Sequence, residues 1–393
     1  MNTSAAPSRE ELIGRAADLA PVFAKNAIWQ EENRILHDDT IAALTEAGLL
    51  RLTLPTRYGG YEVDTTTLVD VLSEIAKGDG AAGWVSTVWN ISTWLTSLFP
   101  DEVQDEVFGS GDVRISGTFG PTAVGVPVDG GIVLNGRWVF NTGARQATWN
   151  AHAAVLAAEG GEPQPILVLV PMGDLEIVDD WYSSGMRGTG SVSTVAKDVF
   201  VPEARILPMV PLFTEGRHRS VLNAASPRWQ VPFMPWACAV VAATPYGLAR
   251  AADEAFMERL PTRKITYTDY AHQADAPLTH MQVAKAALRV DEAGFHLHRA
   301  AALVDGKAPG APWSVRERVT VRLDMGATCL RAKEAVDILT NASGGSSVYQ
   351  TVPIQRIARD IQTSSLHSIM QPNTNFELFG RVACGLEPNT QFL

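Results

Sequence analysis

The chain has few cysteines, no cluster of positive charge and no long apolar run, and each absence removes a class of function. Its three cysteines, Cys238, Cys329 and Cys384, are too few and too far apart for a disulfide framework. None stands at metal-ligand spacing from another cysteine or a histidine, so no metal site is expected. They read as reduced core thiols of a cytoplasmic protein. No uncharged stretch of about 18 apolar residues occurs. The opening MNTSAAPSREELIGRAADLA carries charges where a secretory leader needs an apolar core. Neither membrane insertion nor secretion is expected. Its 32 basic residues are outnumbered by 43 acidic ones, for a net charge of −11, so nucleic acid is a poor partner. A Walker Gly-Lys-Ser/Thr and a GxGxxG after a first strand are both missing, which excludes a phosphate loop and a Rossmann dinucleotide site.

What remains is a chain of 393 residues, 46% hydrophobic, able to bury a large core divided over two or three domains. Behind a Ser8/Glu11 capping box, Leu12, Ala16, Leu19 and Phe23 recur at helical spacing, and further helices are expected at 38–47, 64–77 and 81–98. The last of these carries Trp84, Trp89 and Trp94 among serines and threonines, a pattern that fits a core and equally the aromatic wall of a pocket. From about residue 112, Val, Thr and Gly with strand-like alternation predict a compact β-domain, with strands at 152–158, 165–171 and 193–202. Beyond 216, long helices near 237–259, 277–304 and 312–340, then a shorter one at 352–370, predict a bundle that also mediates association. The expected domains are 1–110, helical; 111–215, β; and 216–393, helical.

The stretch Gly130 to Trp149, GGIVLNGRWVFNTGARQATW, organises the rest. Ile132, Leu134, Trp138 and Phe140 occupy even positions around Asn135-Gly136, which predicts two strands joined there by a tight hairpin. The second strand runs into Asn141-Thr142-Gly143, where backbone amides and a hydroxyl lie beside a large aromatic. A flat heteroaromatic ligand needs that mixture of stacking and hydrogen bonding, although an ordinary sandwich hairpin would show the same pattern. A second segment, WYSSGMRGTGS at 181–191, is rich in glycine and small hydroxyls, so its backbone can approach a ligand closely.

Four blocks, in order, resemble the acyl-CoA dehydrogenase superfamily: LPTRYGGYEVD, GTFGPTAVGVPVDGGIVLNGRWVFNTGARQATW, YSSGMRGTGSVSTVAKDVFVPEARI and NASGGSSVYQTVPIQRIARDIQT. The resemblance implies an α+β, mostly helical fold, with an N-terminal helical domain, a central β-barrel or sandwich and a C-terminal four-helix bundle. Dehydrogenases of that fold carry a carboxylate base in an EGT turn after the RD helix; here the chain reads SSLHSIMQPNTNFELFGR, with His367. That ending is similar to the two-component flavin-dependent monooxygenases of the same fold, as oxygenase component.

The resemblance implies reduced flavin (FADH2 or FMNH2) from a separate NAD(P)H:flavin reductase, with O2 as oxidant. It also implies a C4a-hydroperoxyflavin kept dry, and hydroxylation of an aromatic or polycyclic small molecule, indole-like rings included, in natural-product biosynthesis. It makes Thr142 and His367 the catalytic residues: Thr142 hydrogen-bonds the flavin, and His367 accepts a substrate proton or steadies the peroxide. Trp138, Asn141 and Gly143 would lie beside the flavin, Arg187, Thr189 and Ser191 would contact its ring or ribityl chain, and Arg263 its phosphate. Gly344, Gly345 and Ser346 would reach a neighbouring subunit's flavin in a homotetramer or homodimer. Trp84, Trp89, Asn90 and Trp236 would line the substrate pocket; Trp89 and Asn90 stand where some relatives have a further histidine. Two other activities stay open at this level: desaturation of a thioester with bound FAD, which the missing EGT disfavours, and N-oxygenation of an amino sugar. A silent scaffold would gain from replacing the polar residues at 141–149 and 185–191, which are present.

Overall fold

The computed structural model describes residues 6–157 and 162–393. Six helices come first: α1 (Arg9–Asp18), α2 (Ala20–Asn33), α3 (Asp38–Glu46), α4 (Thr65–Gly78), α5 (Gly80–Thr96) and α6 (Asp101–Phe108). Their starts follow the local chemistry. The Ser8 side chain accepts from Glu11 N, Asp64 from Thr67 N and Asp79 from Ala82 N, each satisfying an orphan amide of a first turn. Helix α5 runs through the middle of the molecule, with every residue but Val88 buried.

A seven-stranded sheet follows, made of β1 (Ile115–Val128), β2 (Gly131–Asn141), β3 (Trp149–Leu156), β4 (Gln164–Pro171), β5 (Glu176–Val178), β6 (Val192–Pro202) and β7 (Ile206–Pro208). Its order is β5-β6-β2-β1-β3-β4-β7, antiparallel except for the β1–β3 pair. Ala158, the last residue of the strand expected at 152–158, lies outside the described residues. The hairpin expected at Asn135-Gly136 is instead made at Asp129-Gly130, where β1 turns into β2 with Val128 opposite Gly131 and Gly130 at φ +77°. Asn135 and Gly136 lie inside β2. There the register against β6 slips, and the Asn135 side chain accepts from Asp198 N at 2.8 Å. Glycine is required at 136 by proximity, since a Cβ there would sit 2.4 Å from Ala123 Cα on β1.

The chain then returns to helix: α7 (Met209–Glu215), α8 (Phe233–Val241), α9 (Ala243–Arg259), α10 (Pro277–Asp305), α11 (Val315–Ala342), α12 (Pro353–Ser364) and α13 (Pro372–Ala383). The single helix expected near 237–259 is broken at Ala242, because Pro245 has no N–H to return to the Val241 carbonyl. The helix expected to reach 370 stops at Ser364, and the turns that follow carry His367. Cys238 and Cys329 are fully buried, and burial pushes their thiols up to about 11 and about 12. Cys384 is exposed, a correction to the reading of all three as core. Among the described residues, no helix is long and apolar enough to cross a membrane.

Candidate functional site

The end of β2 departs from strand geometry. Phe140 has φ +61°, a conformation in which a bulky side chain is a genuine outlier. Its ring is 67% exposed and lies edge-on to Trp181 at 6.0 Å. Three residues on, Gly143 has φ +68° and donates its N–H to Thr189 O at 2.9 Å. The β2 end and the 185–191 loop are thereby held side by side.

Between them runs a directed chain of hydrogen bonds. Trp84 Nε1 on α5 donates to Thr142 Oγ1 at 3.1 Å. Thr142 and Ser191 hydroxyls are 2.7 Å apart, as are those of Ser191 and Thr189, and Thr189 donates to Met186 O at 2.8 Å. Because the last donor is committed, the protons run Trp84 to Thr142 to Ser191 to Thr189 to the carbonyl. Thr142 is left with one unused lone pair and no free proton.

His367 meets this chain through Trp84, their rings edge-on at 5.5 Å. The imidazole is exposed to solvent, yet surrounding protein strips enough hydration to lower its pKa to about 4. With that pKa the imidazole is neutral across the physiological range.

Other expected contacts fall elsewhere. Trp138 is core: 1% exposed, it stacks on His152 at 4.1 Å and donates Nε1–H to Ala153 O at 2.8 Å, leaving nothing for a cofactor. Asn141 is also fully buried, its amide donating to Asn150 Oδ1 at 2.7 Å and Thr194 Oγ1 at 3.0 Å. It positions the strand end from beneath, aided by Ser116, which donates to Thr142 O at 2.6 Å. Arg187 turns away to α2, donating Nε–H to Glu31 O at 3.0 Å. Asn90 donates backwards to Leu49 O and Ser86 O. Trp236 stacks on Trp94 at 4.4 Å, and both line a surface recess with Trp229, Arg228 and Asp305. Trp89 lies against Gly143, where an added Cβ would be 2.7 Å from its Nε1.

Arg263, Gly344 and Ser346 form a second group. Arg263 donates to Ser346 Oγ at 2.9 Å and to Gln273 Oε1 at 3.2 Å, and a Cβ on Gly344 would lie 3.3 Å from its Nη2. Gly345 and Ser346 are exposed. No ion pair engages Arg263 among the described residues; burial and then Arg259 hold its pKa below the usual guanidinium value. A partly buried cation without a carboxylate partner suits an anion. No hydrogen bond or aromatic contact joins this group to Thr142 or His367.

Phe140 escaped the sequence reading because alternation pairs it with Trp138. Its positive φ turns it out of that face, and the one available signal was the break from apolar to polar at Asn141. The residues at the cleft fit a reduced flavin. Phe140 and Trp84 offer apolar faces, and Thr142 offers an acceptor to a ring N–H.

Residues 16–108 match the acyl-CoA dehydrogenase N-terminal domain and residues 239–372 its C-terminal domain. The oxygenase subunit HsaA of a flavin-dependent monooxygenase from Rhodococcus jostii is 30% identical over 377 residues, covering 94% of this chain and 97% of that one. The oxygenase component of an FADH2-dependent resorcinol hydroxylase from Rhizobium sp. is 30% identical over 391 residues, covering 97% and 96%. The structure of XiaF from Streptomyces sp. in complex with FADH2 and glycerol superposes with a TM-score of 0.92 at 30% identity, covering 98% of each chain. This chain therefore belongs to the flavin-dependent monooxygenases of the acyl-CoA dehydrogenase fold, as an oxygenase component that uses reduced flavin and O2.

Proposed function

We propose that this chain hydroxylates an aromatic small molecule in the cleft between the end of β2, the 185–191 loop, α5 and the turn carrying His367. The observation that carries the reading is His367, an accessible imidazole held neutral and edge-on to Trp84. Bound reduced flavin with O2 supplies an oxygen atom for transfer to an electron-rich ring. Thr142 orients the cofactor through its spare lone pair, which suits the N–H that a reduced isoalloxazine carries and an oxidised one lacks at the same position. Trp84 and Phe140 cover apolar ring surface and exclude water from the reacting edge. Neutral His367 accepts the proton of a ring hydroxyl, raising the electron density of the ring that is attacked. The relative that acts on resorcinol supports an aromatic substrate.

As an oxygenase component the chain works with a separate flavin reductase. Its second cationic group leads us to a homotetramer, in which Arg263, Ser346 and the Gly344-Gly345 turn hold the phosphate of a flavin seated in a second copy. The uncompensated guanidinium supports this, as does an exposed apolar stripe on α10, Leu278, Met281, Leu288 and Phe295.

The test compares the parent with His367→Ala and Thr142→Ala in single turnover with reduced flavin, O2 and resorcinol. His367→Ala should lower product by about 10²-fold or more, as for loss of a general base, with hydrogen peroxide released instead. Thr142→Ala should weaken reduced-flavin binding by about tenfold, the worth of one buried hydrogen bond. Product and peroxide both unchanged in His367→Ala would sink the assignment of the base.

A further inference from the structure

Asp360 on α12 is buried, and burial pushes its carboxyl up to about 7. A buried acid is costly unless it is paired. Among the described residues Asp360 makes no ion pair, and its one hydrogen bond comes from the backbone N–H of Met186, to Oδ1 at 2.5 Å. An acid kept in a dry place for a single amide points to that amide as its purpose.

Met186 stands at φ +53°, a conformation that a residue other than glycine keeps only where its surroundings impose it. Its carbonyl accepts from Thr189 Oγ1 at 2.8 Å and from Trp181 Nε1 at 3.1 Å, so it ends the chain of donors that begins at Trp84. Helix α12 grips the approach to Met186 at two further points. Arg359 donates to Ser184 O at 2.9 Å, and a Cβ on Gly185 would lie 2.1 Å from Arg359 O. The second oxygen of Asp360 lies at the start of α5, 3.3 Å from where a Cβ on Gly80 would be, and α5 carries Trp84. One carboxyl thus meets both elements between which the donor chain runs.

We propose that Asp360 is a positioning residue for reduced flavin: by accepting from Met186 N–H it fixes the carbonyl that ends the chain, and so the direction of the Thr142 hydroxyl. While Thr189 donates to Met186 O, the Ser191 proton is drawn to Thr189 and that of Thr142 to Ser191, which leaves Thr142 a lone pair for a flavin N–H. Without Asp360 the Met186 carbonyl is no longer held. The Ser191 proton then turns back on Thr142, which presents a proton where an acceptor is needed. The role requires an acceptor and not a charge, so an amide can take the place of the carboxyl. The inference rests on the reading of Thr142 and the cleft given above.

Anaerobic calorimetric titration of the full chain with reduced FAD and with reduced FMN tests it in Asp360→Ala, Asp360→Asn, Thr189→Val and the Asp360→Ala, Thr189→Val double variant. Asp360→Ala and Thr189→Val should each weaken binding by about tenfold, while Asp360→Asn stays within about twofold of the parent. Both losses break one chain, so the double variant should be weaker than either single variant by no more than about twofold. An acid that only supports the fold would instead give losses that multiply, to about a hundredfold. Parent-like affinity in Asp360→Ala or Thr189→Val, a loss in Asp360→Asn equal to that in Asp360→Ala, or losses that multiply each overturn the inference. Asp360→Asn and Thr189→Val decide the matter where Asp360→Ala fails to fold. A parent that does not bind reduced flavin, or a Thr142→Ala protein of unchanged affinity, overturns the wider reading instead.

Discussion

Protonating His152 would place a charge in the driest part of the sheet. The side chain is fully buried against Trp138, its Nδ1 lacks a partner, and burial lowers its pKa to about 3. The folded-state value lies below the ordinary histidine value of about 6.5, so the unfolded chain binds the proton more tightly. Stability is therefore full above about pH 6.5 and is lost as pH falls towards 3, by at most about 5 kcal/mol. His152→Phe keeps a ring against Trp138 and removes the titration. Its melting temperature should fall less than the parent's between pH 7 and pH 5, and parallel curves would show that His152 does not govern acid stability. His367 owes its lowered pKa to the same cause, and in the proposed reaction a neutral base is what is wanted. Neither histidine's environment can be read from the residues beside it in sequence.

Whether a glycine ends a strand or lies within one depends on what crosses it. Gly130 occupies the turn between β1 and β2 with φ +77° and nothing within 4 Å of an added Cβ, whereas at Gly136 a Cβ would strike the backbone of β1. Gly130→Ala should cost about 1–2 kcal/mol of left-handed strain. Gly136→Ala should cost more, about 3 kcal/mol, because a neighbouring strand must move. Urea unfolding of the two variants separates these cases, and a larger loss at Gly130 would restore the turn to the wrong pair of residues. The misplacement is instructive. Asn-Gly is the strongest short hairpin signal, yet here Asn135 uses its side chain on Asp198 of β6 to hold a register slip that no local pattern encodes. The break between α8 and α9 was legible in principle, since Pro245 stands in the sequence. The Ser8 cap of α1 was legible in fact, whereas the Asp64 and Asp79 caps of α4 and α5 were not read.

For the whole molecule, the proposed homotetramer makes association part of the proposed function. Substituting Leu288 and Phe295 by Asp on α10 should reduce the mass seen by light scattering and weaken reduced-flavin binding by about tenfold or more, the scale expected when a charge-assisted phosphate contact is lost. A parent chain that is already monomeric, or a variant of reduced mass with unchanged affinity, would remove Arg263 and Ser346 from the site. By itself the sequence determined the class of fold, the order of helical and strand regions, and the chemistry of the family, because these follow from apolar periodicity, caps and motifs carried within short stretches. It also singled out Thr142, Ser191, Trp84 and His367, which the fold brings together. It could not show that Trp138 and Asn141 face inward, that Arg187 turns to α2, or that Phe140 turns outward beside Trp181. Those outcomes were decided by the packing of α5 against β1, of α2 and α5 against the turn at 187–189, and by a positive φ at Phe140. The side a residue faces depends on elements distant in the chain, and only their packing leaves some polar atoms paired and others open to a ligand.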